Sequence, residues 1–168
     1  RKHKMKEYME IYEKFKKINS DIEFSSDFII GYPGEDEEDF NDTLNLIKKI
    51  KFINSFSFIF SPRPGTIAEN LKLINRDISL KRLEKAQRYL AAHQLKKNKS
   101  LENKIIKVLV ENQTKDQLKL FGRSEYLTSV ILDGNIKYVG QIVNAKILRS
   151  NRNTLFGKIV ENFNKKVA

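Results

Sequence analysis

The stretch SSDFIIGYPGEDEEDF, residues 25–40, sets a short apolar run against a Pro-Gly turn and then against five consecutive acids, Glu35 to Asp39. An apolar run without polar alternation is the pattern of a buried strand, most typical of a parallel sheet, so SDFIIGY is predicted to be one, ending at Gly31. The acids open a helix whose Phe40, Leu44, Ile47 and Ile50 share a face. They suit its first turn because they oppose the positive end of the helix dipole. Upstream, Tyr8, Ile11, Tyr12, Phe15 and Ile18 recur at helical spacing and predict an amphipathic helix over Lys6 to Asn19. Downstream, INSFSFIFSP alternates Phe56, Phe58 and Phe60 with small polar residues and predicts a second strand, closed by the turn residues PRPGT. Strand, helix, strand in this order is the βαβ unit of a parallel sheet, too small here to close a barrel. The first 76 residues therefore read as a slice of a larger α/β domain.

From Asp77, expected as the N-cap, a basic helix runs to Lys99 with Leu80, Leu83, Ala86, Leu90 and Leu95 as its apolar stripe. It is expected to bridge two domains. After Asn103 the period changes to that of strands. KIIKVLVEN, QLKLFGRSE, LTSVILDG, IVNAKILRSN and TLFGKIVEN are five segments separated by turn residues, which predicts a small antiparallel OB-like barrel. No internal repeat is evident. The fold class is thus α+β, with residues 1–76, 77–100 and 101–168 as its three parts.

The chain has 168 residues, no Cys, two His and a formal net charge of +11. Residues 1–76 carry 13 basic and 13 acidic residues, so the whole excess lies beyond them. A basic half points to an anionic partner, nucleic acid foremost, whereas Lys richness throughout also fits an AT-rich genome with a merely solvated basic surface. Without Cys there is no thiolate metal site and no iron–sulfur ligation by this chain, and His3 and His93 cannot form a zinc site alone. No apolar run approaches the roughly 20 residues of a membrane span, and the basic N-terminus lacks the apolar block of a signal peptide. A cytoplasmic location is expected. A start at Arg1 reads as a fragment.

The Gly-Tyr-Pro-Gly turn admits two readings: a tight strand-to-helix connection, or a ligand loop of the kind found at the carboxyl ends of parallel strands. It is not a P-loop, because no Gly-Lys-Ser/Thr follows. In SPRPGT, Arg63 between two prolines is either an aimed guanidinium or a cation in a stiff surface turn. In the predicted barrel, Lys119, Arg123 and Tyr126 lie near Phe121, and cations beside aromatics are how unpaired RNA bases are held. Phe121 itself reads as core. The expected RNA-binding set is Lys107, Lys119, Arg123, Tyr126 and Arg149.

The blocks SSDFIIGYPGEDEEDFNDTL, FSFIFSPRPGTIAENL and GRSEYLTSVILDG, in this order with a basic helix between the last two, resemble the C-terminal part of the radical-SAM methylthiotransferases over nearly the entire chain. The SPRPGT form and the basic barrel favour the tRNA-modifying branch of that family. The resemblance implies the end of a partial TIM-type barrel followed by a tRNA-binding TRAM domain. It also implies that Ile29, Gly31 and Glu35 help cradle S-adenosylmethionine, and that the full-length enzyme methylthiolates isopentenyladenosine beside the anticodon with two 4Fe-4S clusters; Arg63 joins the expected cofactor-binding set from the reading of its own loop. The cysteines of both clusters are absent here, so this chain is expected to hold no cluster and to be inactive alone, with exposed apolar surface favouring self-association. The expected partner is a tRNA anticodon stem-loop, with no membrane. A sister enzyme acting on a ribosomal protein and a stand-alone RNA-binding module remain as alternatives.

Overall fold

The computed structural model describes residues 5–160. It divides into two compact units, residues 1–90 and 91–168, with the dividing point inside a helix. In the first unit, helix α1 (Met5–Ile18) precedes strand β1 (Asp27–Ile30), helix α2 (Glu37–Ile50) and strand β2 (Phe56–Ile59). The two strands pair in parallel, Asp27 opposite Phe56 and Ile30 opposite Ile59, so the βαβ unit forms as predicted. The acidic block caps α2: Asp36 accepts the Asp39 N–H at 2.8 Å, and Asp39 accepts the Asp36 N–H at 3.2 Å. This reciprocal capping box satisfies two amides that the helix leaves unpaired.

Phe28 and Ile30 turn toward a core that also holds Phe40, Leu44, Ile47, Ile50 and Phe52. The opposite face of the sheet carries Ile29, Phe56 and Phe58, each more than half exposed, with the two phenyl rings stacked 6.4 Å apart. In β2 it is thus the phenylalanine side that lies open, because the parallel register sets Ser57 beside Phe28 on the covered face.

Helix α3 (Arg76–Ser100) starts in the first unit and ends in the second. Its cap differs from the prediction. The Asn75 side chain accepts the Asp77 N–H at 2.8 Å, so Asn75 holds the N-cap position and Asp77 lies within the first turn. Its buried face also differs. Ser79, Arg82, Ala86 and Leu90 are buried while Leu80 is exposed, so a charged residue takes the place expected of a leucine.

The second unit is a closed five-stranded barrel of β3 (Ile105–Gln113), β4 (Leu120–Ser124), β5 (Ser129–Asp133), β6 (Ile142–Ser150) and β7 (Thr154–Ile159), ordered β3-β4-β5-β7-β6. Residues 161 and 162 of the last predicted strand segment lie outside the described residues. Four strand pairs are antiparallel and the fifth, β5 with β7, is parallel. An odd number of strands cannot alternate direction around a closed ring, so one parallel pair is unavoidable. Inward-facing Ile106, Val108, Val110, Leu120, Val130, Leu132, Val143, Ala145, Ile147 and Leu155 fill the interior. Asn98, fully buried near the end of α3, donates to the carbonyls of Asn151 and Arg152 at 2.9 Å each and so holds the β6–β7 turn.

The barrel contains an internal repeat that the sequence did not disclose. β3 and β6 are both nine-residue strands with the same inward phase. Each shifts register near its end, after Val110 and after Ile147, opposite a glycine of the next hairpin strand. Those strands carry Leu120-Phe121-Gly122-Arg123 and Leu155-Phe156-Gly157-Lys158. Two strand–bulge–hairpin units, with β5 inserted between their second strands, therefore make the barrel.

Candidate nucleic-acid interface

Alternation fixes what the barrel shows to solvent. With Leu120 and Gly122 inward on β4, Phe121 points outward and is half-buried, which overturns its assignment to the core. Gly122 occupies the inward position without contributing apolar surface, and this disguises the phase. Phe121 pairs with Ile131, and Ile131 pairs in turn with Phe156, so an apolar row crosses three adjacent strands on the outside of the barrel. Cations frame it. The Arg123 guanidinium carbon lies 5.6 Å from the Phe121 ring centroid, and that of Arg149, paired with Phe156 in the register, lies 3.7 Å from the Phe156 centroid. Along the strands, Lys119 with Asp133 and Lys158 make the next outward row, with the Lys119–Asp133 ion pair at 3.0 Å.

Three of the five residues expected to meet RNA, Lys119, Arg123 and Arg149, thus surround one aromatic face. Arg123 also donates to the Leu127 carbonyl at 3.2 Å and lies 3.8 Å from the Glu111 carboxylate, contacts that limit its conformations. Lys107 is exposed but pairs with Asn144 on the β3–β6 side, outside this face. Tyr126 is half-buried against the interior cluster, with the Lys97 ammonium 3.9 Å from its ring centroid, so its ring is engaged within the unit. Phe156 is the residue sequence reasoning missed. The signal that could have found it is the near-identity of LFGR and LFGK 35 residues apart.

The residues expected at a cofactor in the first unit divide by environment. Tyr32-Pro33-Gly34-Glu35 is a β-turn closed by the Glu35 N–H to the Tyr32 carbonyl at 2.9 Å, with Gly34 at φ 90°. The Glu35 carboxylate accepts the Gly31 N–H at 3.0 Å and takes an ion pair from Arg82 at 2.8 Å, both side chains only 10% exposed. Arg82 donates further to the Glu35 carbonyl at 3.0 Å and to Glu37 at 3.1 Å. Gly31, at φ 74°, has its bare Cα against α3, where a Cβ would stand 2.5 Å from the Ser79 hydroxyl oxygen. Gly31 and Glu35 therefore shape the turn and fasten it to α3. Ile29 faces outward on the open side of the sheet, and Arg63 is exposed in its loop, where its carbonyl accepts from Thr66.

Among the described residues, no group of three or more His, Cys, Asp or Glu side chains is arranged to hold a metal ion, and no helix is long and apolar enough to cross a membrane.

The closed five-stranded barrel places the second unit in the class of small OB-like β-barrel domains, and residues 99–160 match the family model of the TRAM domain. Over its whole length the chain is 62% identical to the tRNA-2-methylthio-N(6)-dimethylallyladenosine synthase of Pelagibacter ubique. It is 41% and 42% identical, over 94% and 95% of its length, to the proteins of that name from Wolbachia pipientis wMel and Ruthia magnifica. The chain belongs to this methylthiotransferase family and corresponds to its C-terminal part. It spans between 36% and 38% of the length of these three relatives.

Proposed function

We propose that this chain is the RNA-binding and cofactor-flanking part of a cytoplasmic tRNA methylthiotransferase. The complete enzyme inserts a methylthio group into isopentenyladenosine beside the anticodon. The observation that carries the reading is the outward row Phe121–Ile131–Phe156 with Arg123 and Arg149 at its ends. Guanidinium groups neutralise phosphates and planar rings take unpaired bases, which is the chemistry of an RNA loop. The relatives' names specify a tRNA product, which favours tRNA over a ribosomal protein as substrate.

The residues of this chain do not fit an iron–sulfur cluster, since there is no thiolate to hold one. Clusters and radical chemistry belong to the remainder of the protein, and the chain alone is inactive. S-adenosylmethionine fits better, and when bound it would supply the adenosyl group that a cluster held by the remainder of the protein reduces to a radical. Ile29 offers apolar surface on the open face of the sheet, where an adenosine would rest, and the fastened Gly31–Glu35 turn would hold the strand end in place beside it. Arg63 lies in the exposed loop that follows β2, the strand paired with β1, and is the cation that loop offers. In the isolated chain the same open face, Ile29 with Phe56 and Phe58, is the surface through which copies would self-associate.

The test is a titration of the full chain with an isopentenyladenosine anticodon stem-loop, against an equal-length duplex RNA, across a salt series. Preferential binding to the stem-loop is expected, weakening steeply as salt rises. Arg123→Ala is expected to reduce the logarithmic salt slope by about 1, the change for one phosphate contact. Equal affinity for stem-loop and duplex would refute the reading.

A further inference from the structure

Each half of the barrel places a guanidinium near a phenyl ring on the same outer face, though from different positions. Arg123 lies by Phe121 from two residues along β4, and Arg149 lies over Phe156 from the neighbouring strand β6. The phenyl rings are anchored by their half-burial, with the Arg149 guanidinium carbon 3.7 Å from one centroid and that of Arg123 5.6 Å from the other, and a guanidinium that stacks flat on such a floor turns its other planar face outward. A base can stack on that face, because guanidinium planes serve as stacking partners in RNA recognition as aromatic rings do. Ile131 lies between the rings in the register, so the stations stand two strand spacings apart, about 10 Å. Successive stacked bases in a helix are only about 3.4 Å apart.

We propose that this face holds two unpaired nucleotides at once, one base on the Arg123–Phe121 pair and one on the Arg149–Phe156 pair. The spacing requires the two bases to be unstacked from each other. The face therefore selects a locally splayed single strand over any continuous helix. Selection is for unpaired bases and not for their identity, because every base has a π face. The inference rests on the RNA-binding reading above and adds to it the number of bases, their separation and the planar groups that receive them.

Arg→Lys separates stacking from charge, since lysine keeps the cation and loses the plane. The full chain is titrated with a single-stranded RNA heptamer carrying 2-aminopurine at two positions with one nucleotide between them, whose fluorescence reports stacking of the probe bases. Arg123→Lys and Arg149→Lys are each expected to weaken binding about thirtyfold, the middle of the range for losing one stacked base. Each is expected to leave the salt slope unchanged and to change the fluorescence signature of the complex. Both exchanges are on the surface and conservative, and circular dichroism checks the fold of each variant. Lysine variants that bind and fluoresce as the unsubstituted chain does would overturn the two-station proposal while leaving RNA binding intact. Loss at only one of the two sites would reduce it to a single station and overturn it equally. Absence of RNA binding by the unsubstituted chain would remove the underlying reading and this proposal together.

Discussion

Replacing Arg82 with Met is expected to destabilise the first unit by about 3–5 kcal/mol, the cost of removing one partner from a buried ion pair. The side chain links three groups of one turn: the Glu35 carboxylate, the Glu35 carbonyl and the Glu37 carboxylate. Met fills similar volume and would still pack against Phe40, over whose ring the guanidinium carbon lies at 5.3 Å. The Glu35 carboxylate would then keep only the Gly31 N–H, in a site that is 10% exposed. Since a domain's total stability is about 5–15 kcal/mol, a loss of this size moves the unfolding midpoint far down in denaturant. Adding Glu35→Gln to Arg82→Met removes the stranded charge and is expected to recover part of the loss. Chemical denaturation followed by circular dichroism measures both. A single-variant loss under about 1 kcal/mol would mean the pair is effectively solvated, and Glu35 would again be open to the direct ligand role that the sequence suggested for it.

Periodicity made most of the architecture legible. The face of α2 and the five barrel strands follow from where apolar residues recur, because burial of one face imposes a spacing that local sequence must obey, whereas α1 forms as predicted but leaves Ile11, Phe15 and Ile18 of its apolar face exposed. What was not legible depends on partners distant in sequence. Arg82 sits at a helix position that leucine would suit, and only Glu35, 47 residues away, explains its burial. Asn75 and Asp77 are both good caps, and the choice between them rests on where α3 sets Ser79 against Gly31. Phe121 reads as core from sequence, yet it faces outward. The glycine beside it holds the inward position for a steric reason that leaves no trace in hydropathy. The repeat was hidden for a related cause: outside the LFG tripeptide the two halves share burial phase and bulge position, not residue identity.

That steric reason gives the second large expected effect. A Cβ on Gly122 would lie 2.3 Å from the Leu109 carbonyl oxygen, and one on Gly157 would lie 2.4 Å from the Lys146 carbonyl oxygen. Leu109 and Lys146 each directly precede the residue paired with the glycine, Val110 and Ile147, so the two clashes are one geometry occurring twice. The colliding atoms belong to strand backbones within a closed ring, where a shift on one side must be passed to the next pair. A flexible side chain could give way at little cost, but these carbonyls cannot. Gly122→Ala and Gly157→Ala are therefore each expected to cost about 2–3 kcal/mol, in the upper part of the usual range for overpacking. In a barrel of this size that lowers the melting temperature by roughly 10–20 °C. The repeat adds a stricter requirement, that the two losses match to within about 0.5 kcal/mol, which thermal unfolding of both variants decides. A tolerated alanine at one glycine and not at the other would show that the halves share a pattern without sharing its mechanics. Equal losses would mean that strand curvature at both bulges depends on a missing side chain, and that each LFG sequence sets its phenylalanine outward by the same constraint.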